Sequence, residues 1–185
     1  MLQGHTVQLE PLEITHVPDL CAIGLDSDLW RWTLEQVRTP QEMKDYVVRA
    51  TADPKTRAYA VRSLEGGRIA GCTRYMNMEP GHGRLEIGST WYGLEFQRTA
   101  VNTECKYLLL QHAFETLNMN RVELKTDALN ERSRRAIVRI GAQEEGTLRH
   151  HMITAEGRVR DTVYYSVIRD EWPLVRAGLL EKLRS

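Results

Sequence analysis

The spacing of apolar residues gives its clearest signal in the middle of the chain. Large apolar side chains recur at helical spacing over residues 103–118 and predict a long helix. Strands are predicted on either side of it, over residues 84–92 and 121–127. Strand, helix and strand together predict a parallel crossover, which is right-handed in nearly all proteins. A crevice is expected to open beside such a crossover.

Other patterns predict the elements that surround this crossover. Residues 57–64 and 68–76 alternate on either side of Gly66-Gly67, which is typical of a β-hairpin. The remaining predicted elements are a strand over 6–12, helices over 16–25 and 40–52, a helix from Asn130 to Gly141, a hairpin of strands 144–153 and 159–168, and a closing helix after Pro173. This order predicts one domain over residues 1–185, of mixed α/β (α+β) class, with a mostly antiparallel central sheet, one parallel crossover and flanking helices.

Composition narrows the class of protein. The 185 residues carry 25 basic and 25 acidic side chains, and this balance argues against a nucleic-acid partner. Three widely spaced cysteines favour neither a disulfide framework nor a zinc site, and they indicate a reducing compartment. No apolar run reaches 18 residues, so no membrane partner is expected. We therefore expect a soluble, cytoplasmic protein without a metal, and its oligomeric state stays open, with a homodimer among the alternatives.

Residues 97–102 form a polar loop directly before the long helix, and this placement predicts an anion site. The first turn of a helix leaves backbone N–H groups without partners, and the helix dipole favours negative charge there. Arg98 adds a donor for a charge-assisted hydrogen bond. A diphosphate is an anion that suits this arrangement. The alternative is an ordinary capped loop with no ligand.

The segment from Glu86 to Gly141 resembles the acetyl-CoA-binding core of the GNAT acetyltransferase superfamily. The resemblance is carried by QRTAVN before the long helix and by LNERSRR after the second strand, with LWRWT near the N-terminus. It is most similar to the branch that contains the Rim-type ribosomal-protein N-terminal acetyltransferases. The resemblance implies an acetyl-CoA-dependent N-acetyltransferase whose acceptor is a primary amine, either the α-amine of a protein or peptide or a small amine.

The same resemblance implies a set of cofactor-binding residues. They are Trp91, Tyr92, Gln97, Arg98, Thr99, Ala100, Val101, Asn102, Asn130 and Ser133. The family usually has glycines where this chain has Ala100 and Asn102, and glycine serves either a positive φ or a close backbone approach. Asn130 suits a helix cap equally well.

Acetyl transfer to an amine requires a neutral amine and a proton donor for the departing thiolate. About one α-amine in seven is neutral at pH 7, against about one lysine in 2,500, so an α-amine needs the weaker base. The resemblance makes Glu86 the candidate base, and the pattern places it on one strand face with Gly88 and Thr90. The alternative for Glu86 is a surface or hydrogen-bonded glutamate.

The proton donor is less clearly indicated. Family members often have a tyrosine where this chain has Ile137, so Ser133 is the first candidate and Tyr164 the second.

The resemblance also implies that Trp30, Trp32, Tyr75 and Tyr164 lie within range of the acceptor pocket, although tryptophans in a small domain are more often core residues. Asp161 or Glu86 is a candidate to hold the ammonium group of the acceptor before transfer. Two other classes of protein remain open. One is a non-catalytic acyl-CoA-binding or regulatory module, which the missing glycines and tyrosine would suit, and the other is a structural interaction protein without a ligand.

Overall fold

The computed structural model describes residues 1–184, in which eight strands and five helices form a mixed α/β fold. The strands are β1 (Leu2–Gln3), β2 (Val7–Pro11), β3 (Arg57–Ser63), β4 (Ile69–Glu79), β5 (Arg84–Tyr92), β6 (Arg121–Asp127), β7 (Gln143–Ile153) and β8 (Val159–Ile168). The helices are α1 (Val17–Gly24), α2 (Pro40–Ala52), α3 (Ala100–Gln111), α4 (Glu131–Arg139) and α5 (Trp172–Arg184).

All eight strands belong to one sheet in the order β1-β2-β3-β4-β5-β6-β8-β7. Neighbouring strands are antiparallel except β5 and β6, which are parallel and are joined by α3. The predicted fold class and the single parallel crossover are therefore confirmed. Gly66 and Gly67 have φ angles of 76° and 67° and form the tight turn between β3 and β4, as the alternation predicted.

Apolar side chains cover the two faces of the sheet with separate cores. One core packs α3 and α5 against the sheet, with Leu109 and Leu179 among its buried residues. The other packs α1 and α2 on the opposite face, with Leu20 and Met43 among its buried residues. The parallel pair therefore has helices on both faces, and any gap between β5 and β6 joins the two sides of the sheet.

Helix α3 begins three residues earlier than the periodicity predicted. The Thr99 hydroxyl accepts a hydrogen bond from the backbone N–H of Val101 at 3.3 Å, so Thr99 is the cap and Ala100 is the first helical residue. The helix then runs through Gln111 into one π-helical turn, His112–Thr116. Ala100 and Asn102 consequently lie in the first turn of the helix and not in the preceding loop.

The predicted cap of α4 is confirmed. Asn130 Oδ1 accepts a hydrogen bond from the backbone N–H of Ser133 at 3.0 Å, which fixes the start of the helix. Ile137 and Ile140 are buried on the inner face of α4, as its spacing predicted. This cap brings the first turn of α4 to the end of β6.

Candidate active site

The parallel strands β5 and β6 separate shortly after they begin. Their ladder pairs only Arg84–Glu86 with Arg121–Glu123. Beyond these pairs, a cavity of about 650 Å³ opens between the strands, within the size range of small-molecule sites. Its walls include Lys106 and Ile140 from the α3 face and Trp30 and Glu86 from the α2 face. The cleft therefore reaches both sides of the sheet.

A β-bulge in β5 shapes one wall of this cleft. Arg74 pairs with Gly88 and Cys72 with Trp91, so Ser89 and Thr90 together oppose one residue of β4. Ser89 has a φ of 45°. The bulge turns Thr90 toward α3, so the prediction that Glu86, Gly88 and Thr90 share one strand face was wrong.

The backbone beyond the bulge offers one amide to the cleft. The N–H of Gly93 donates to the carbonyl of Ala70 at 2.9 Å, so in the alternating ladder the N–H of Trp91 also faces β4 and that of Tyr92 faces the gap. The Trp91 ring lies in the α2 core, where its Nε1 donates to the Tyr46 hydroxyl at 3.1 Å. Of the two expected residues, the structure places only the Tyr92 N–H toward a ligand between the strands.

The loop before α3 is rich in hydrogen-bond donors. Thr99 caps only the Val101 amide, so the other amides of the first turn lie at the open helix end. Arg98 has a φ of 62°, whereas Ala100 and Asn102 have helical backbone, so neither position requires glycine for its φ angle. Gln97, Arg98, Thr99 and Asn102 line the cleft, and Val101 is buried in the core.

Basic side chains of α4 face the same end of the cleft. Arg132 Nη1 donates to Gln97 Oε1 at 2.8 Å, and Arg139 Nη1 donates to Thr103 Oγ1 at 3.0 Å. Both arginines line the cleft beside Asn130 and Ser133. Helix amides, Arg98 and these arginines form a donor set that fits the diphosphate of a CoA molecule.

Glu86 lies in the narrow part of the cleft, where β5 and β6 begin to separate. Its side chain is 3% exposed, and Oε2 accepts a hydrogen bond from Asn77 Nδ2 at 2.8 Å and forms an ion pair with Lys125 Nζ at 2.9 Å. Both contacts use Oε2. Glu86 is thus a buried, ion-paired carboxylate that also lines the cleft.

The two candidate proton donors lie in different places. Ser133 lines the cleft on the first turn of α4. Tyr164, on β8, does not line the cleft. Its ring packs edge-on against His151, and the Lys125 ammonium lies over the ring. The structure therefore brings Ser133, and not Tyr164, to the cofactor side.

Two of the four predicted acceptor residues line the cleft. Trp30 is a buried core residue whose Nε1 donates to the Gly24 carbonyl at 2.7 Å, and Trp32 is half-buried beside it. Tyr75 lies on the α3 side and donates to the Leu109 carbonyl, while Asp161 accepts from the His150 N–H at 2.7 Å. Neither Tyr75 nor Asp161 lines the cleft.

Lys106 is a cleft residue that the sequence reasoning missed. It is 6% exposed, and its Nζ donates to Thr90 Oγ1 at 2.7 Å. Burial lowers the pKa of Lys106 to about 8. Its position four residues after Asn102, and so on the same face of the helix, is the signal that could have revealed it.

Residues 1–184 offer no cluster of metal ligands and no membrane-spanning helix. No group of three or more histidine, cysteine, aspartate or glutamate side chains is placed to hold a metal ion. None of the described helices has the length and apolar character needed to cross a membrane.

Comparison with known proteins identifies the family to which this chain belongs. Residues 6–143 match the acetyltransferase (GNAT) domain family, and the chain is therefore a member of the GNAT acetyltransferases. Among its relatives is the "Putative ribosomal N-acetyltransferase YdaF" of Bacillus subtilis (strain 168), with 35% identity over 109 residues. That match covers 59% of this chain and 58% of the relative. The expected family is confirmed, and this likeness agrees with the Rim-type branch.

Solved structures show the same fold. A GCN5-related N-acetyltransferase from Brucella melitensis superposes with a TM-score of 0.93 at 32% identity, covering 98% of this chain and 84% of that one. A spermidine N-acetyltransferase from Vibrio cholerae, in complex with CoA and spermine, has a TM-score of 0.76 at 16% identity, covering 92% and 99%. The second comparison supports the fold alone.

Proposed function

We propose that this chain is an acetyl-CoA-dependent N-acetyltransferase that acts on a primary amine. The α-amine of a protein or peptide is the first acceptor we expect, and a small amine the second. The observation that carries the proposal is the cleft between β5 and β6, which opens on both faces of the sheet. Cofactor and acceptor can enter from opposite sides and meet between the strands. Residues 1–185 act as one acetyltransferase domain in this proposal.

The donor-rich end of the cleft would hold the cofactor. The open amides of the first turn of α3, with Arg98 and Arg132, bind the diphosphate. The Tyr92 N–H and Ser133 line the path from there toward Glu86. When bound, acetyl-CoA supplies the acetyl group as an activated thioester. The match of residues 6–143 to the acetyltransferase (GNAT) domain family supports this choice of cofactor.

Glu86 would accept the proton of the acceptor amine. Lys125 and Asn77 hold Oε2 in place, so Oε1 receives the proton, either directly or through a water molecule. An α-amine is already neutral in about one molecule in seven at pH 7, so a weak base is sufficient to deprotonate such an acceptor. The Ser133 hydroxyl would donate a hydrogen bond to the departing sulfur.

The proposal is tested by thiol release from acetyl-CoA in the presence of a panel of peptides, amino acids and polyamines. Glu86→Gln removes the proton acceptor but keeps the shape of the side chain, and we expect it to slow thiol release by about 100-fold or more. Glu65→Gln, in the exposed turn after β3, is the matched control and should leave the rate unchanged.

Calorimetry with CoA separates the other classes of protein. If the chain binds CoA but releases no thiol with any amine, it is a non-catalytic acyl-CoA-binding module and not an enzyme. Absence of CoA binding would indicate an interaction protein without this ligand.

A further inference from the structure

Two arginines on the acceptor side of the sheet are buried without a full set of hydrogen-bond partners, although Arg74 lies over the Tyr46 ring and 3.8 Å from Glu35. Arg160 on β8 is 6% exposed and Arg74 on β4 is 7% exposed. In the described part of the chain, Nε of both arginines and Nη2 of Arg74 donate no hydrogen bond. An unpaired buried guanidinium is costly, so such groups usually have a carboxylate or phosphate partner.

The carboxylate nearest to Arg160 is already occupied. Arg160 Nε lies 4.0 Å from Asp127 Oδ2, which is too far for a hydrogen bond. Asp127 accepts from Arg158 Nη2 at Oδ2 and from the Leu129 N–H at Oδ1. Arg160 is therefore a second cation beside one carboxylate. Burial lowers the pKa of its guanidinium, which agrees with this lack of a full partner.

The other carboxylates on this side of the cleft also have cationic partners. Glu86 pairs with Lys125 at 2.9 Å. Glu35 pairs with Arg49 at 2.9 Å and has Arg74 at 3.8 Å. A polyamine acceptor would find every one of these carboxylates already neutralised. In contrast, Arg160 lines the cleft and has an unpaired N–H donor, so its guanidinium can bind an anionic group.

We propose that Arg160 binds a carboxylate of the acceptor, so that the preferred substrate is an amine that also carries a carboxylate. The planar guanidinium can donate two parallel hydrogen bonds to such a group and orient the amine relative to Glu86. This inference rests on the proposed function of the cleft. The carboxylate can be the α-carboxylate of a free amino acid or the side chain of an acidic residue that follows a peptide N-terminus.

Matched pairs of acceptors test the proposal and distinguish the two sources. Alanine is compared with alaninamide, and the amidated peptide Ala-Asp-Ala with Ala-Asn-Ala. We expect kcat/KM, calculated on the concentration of neutral amine, to be at least tenfold higher for the carboxylate member of one pair than for its amide member, mainly through KM. The pair that shows the difference identifies the source of the carboxylate. Equal rates within both pairs would overturn the proposal.

Substitution of Arg160 gives the second arm. Arg160→Gln should abolish the preference, lowering kcat/KM for the carboxylate acceptor at least tenfold more than kcat/KM for the neutral acceptor. Arg160→Lys keeps the charge and should retain part of the preference. Arg176→Gln, on the exposed face of α5, is the control and should change neither value. Equal losses for both acceptors in Arg160→Gln would contradict a role in recognition.

Calorimetry provides a readout that does not need turnover. The same acceptors are titrated into the CoA-saturated protein, and into Arg160→Gln after circular dichroism has shown that it is folded. Weaker binding of the carboxylate acceptor alone supports the proposal, and unchanged binding overturns it. If no amine releases thiol, the enzymatic function fails, and these titrations still decide whether Arg160 binds a carboxylate.

Discussion

The buried ammonium group of Lys106 should make the stability of the fold depend on pH. Its ammonium is buried beside Thr90, and no carboxylate of residues 1–184 lies within ion-pairing distance of it. Burial lowers its pKa from the ordinary value of 10.5 to about 8. Each unit of pKa difference corresponds to about 1.4 kcal/mol, so the buried charge costs the folded state about 3 kcal/mol at neutral pH.

The sign of the pH dependence follows from the two pKa values. Below pH 8 the lysine is protonated in both states, and the folded state carries the full cost of burying an ammonium group. Between about pH 8 and pH 10.5 the unfolded chain holds the proton and the folded chain has lost it, so the contribution of Lys106 to the free energy of unfolding increases with pH. Above pH 10.5 the cost has disappeared.

Lys106→Met removes this charge and keeps an unbranched side chain of similar length. At pH 7 we expect the variant to be more stable than the native chain, and this advantage should shrink by about 3 kcal/mol between pH 7 and pH 10.5. Urea unfolding at several pH values, followed by tryptophan fluorescence, measures the difference. Lys44→Met, at an exposed position of α2, is the control and should show no such change. A Lys106→Met difference that stays constant across this pH range would refute the reasoning.

Two further substitutions test the packing around the crossover. Glu104 accepts hydrogen bonds from the backbone N–H groups of His5, Thr6 and Val7 at 2.8, 2.6 and 2.7 Å. Glu104→Gln should therefore lower the free energy of unfolding in urea by about 3 kcal/mol and speed amide exchange at these three residues. Unchanged exchange would contradict this. Gly71→Ala would press a Cβ against the Trp91 carbonyl oxygen of β5 and should cost about 2–3 kcal/mol. Gly81→Ala meets no atom within 4 Å and is the control, so equal stabilities of the two variants would refute the clash.

The sequence predicted elements best where one face of an element is exposed. Alternation around Gly66-Gly67 predicted the β3–β4 hairpin because its turn requires two positive φ angles. Periodicity predicted α4 because Ile137 is buried while Arg135 is exposed. Helix α3 packs against other elements around most of its surface, so polar side chains in it are buried together with apolar ones. Periodicity therefore located this helix but did not indicate that Lys106 is buried.

The candidate site was predictable only where the chain itself fixes a side chain. Asn130 caps α4 through its own oxygen, so its place followed from local sequence. The bulge at Ser89 depends on the pairing of β5 with β4, and this pairing moves Thr90 to the other face. Arg160 lies at the cleft because β8 pairs with β6 across a long connection. These contacts depend on tertiary pairing, which local periodicity does not specify.

Ala100 and Asn102, which stand where the family usually has glycines, lie inside helix α3 and not in the loop before it. With the helix predicted to begin at residue 103, Ala100 and Asn102 stood in a loop, where glycine would be needed for a positive φ. Because Thr99 caps the helix, both residues instead have helical backbone, and the positive φ falls at Arg98. An anion site at a helix end requires open amides and space to approach them. Alanine in the first turn supplies the amide as well as glycine does, so the backbone conformation at these two positions does not count against cofactor binding.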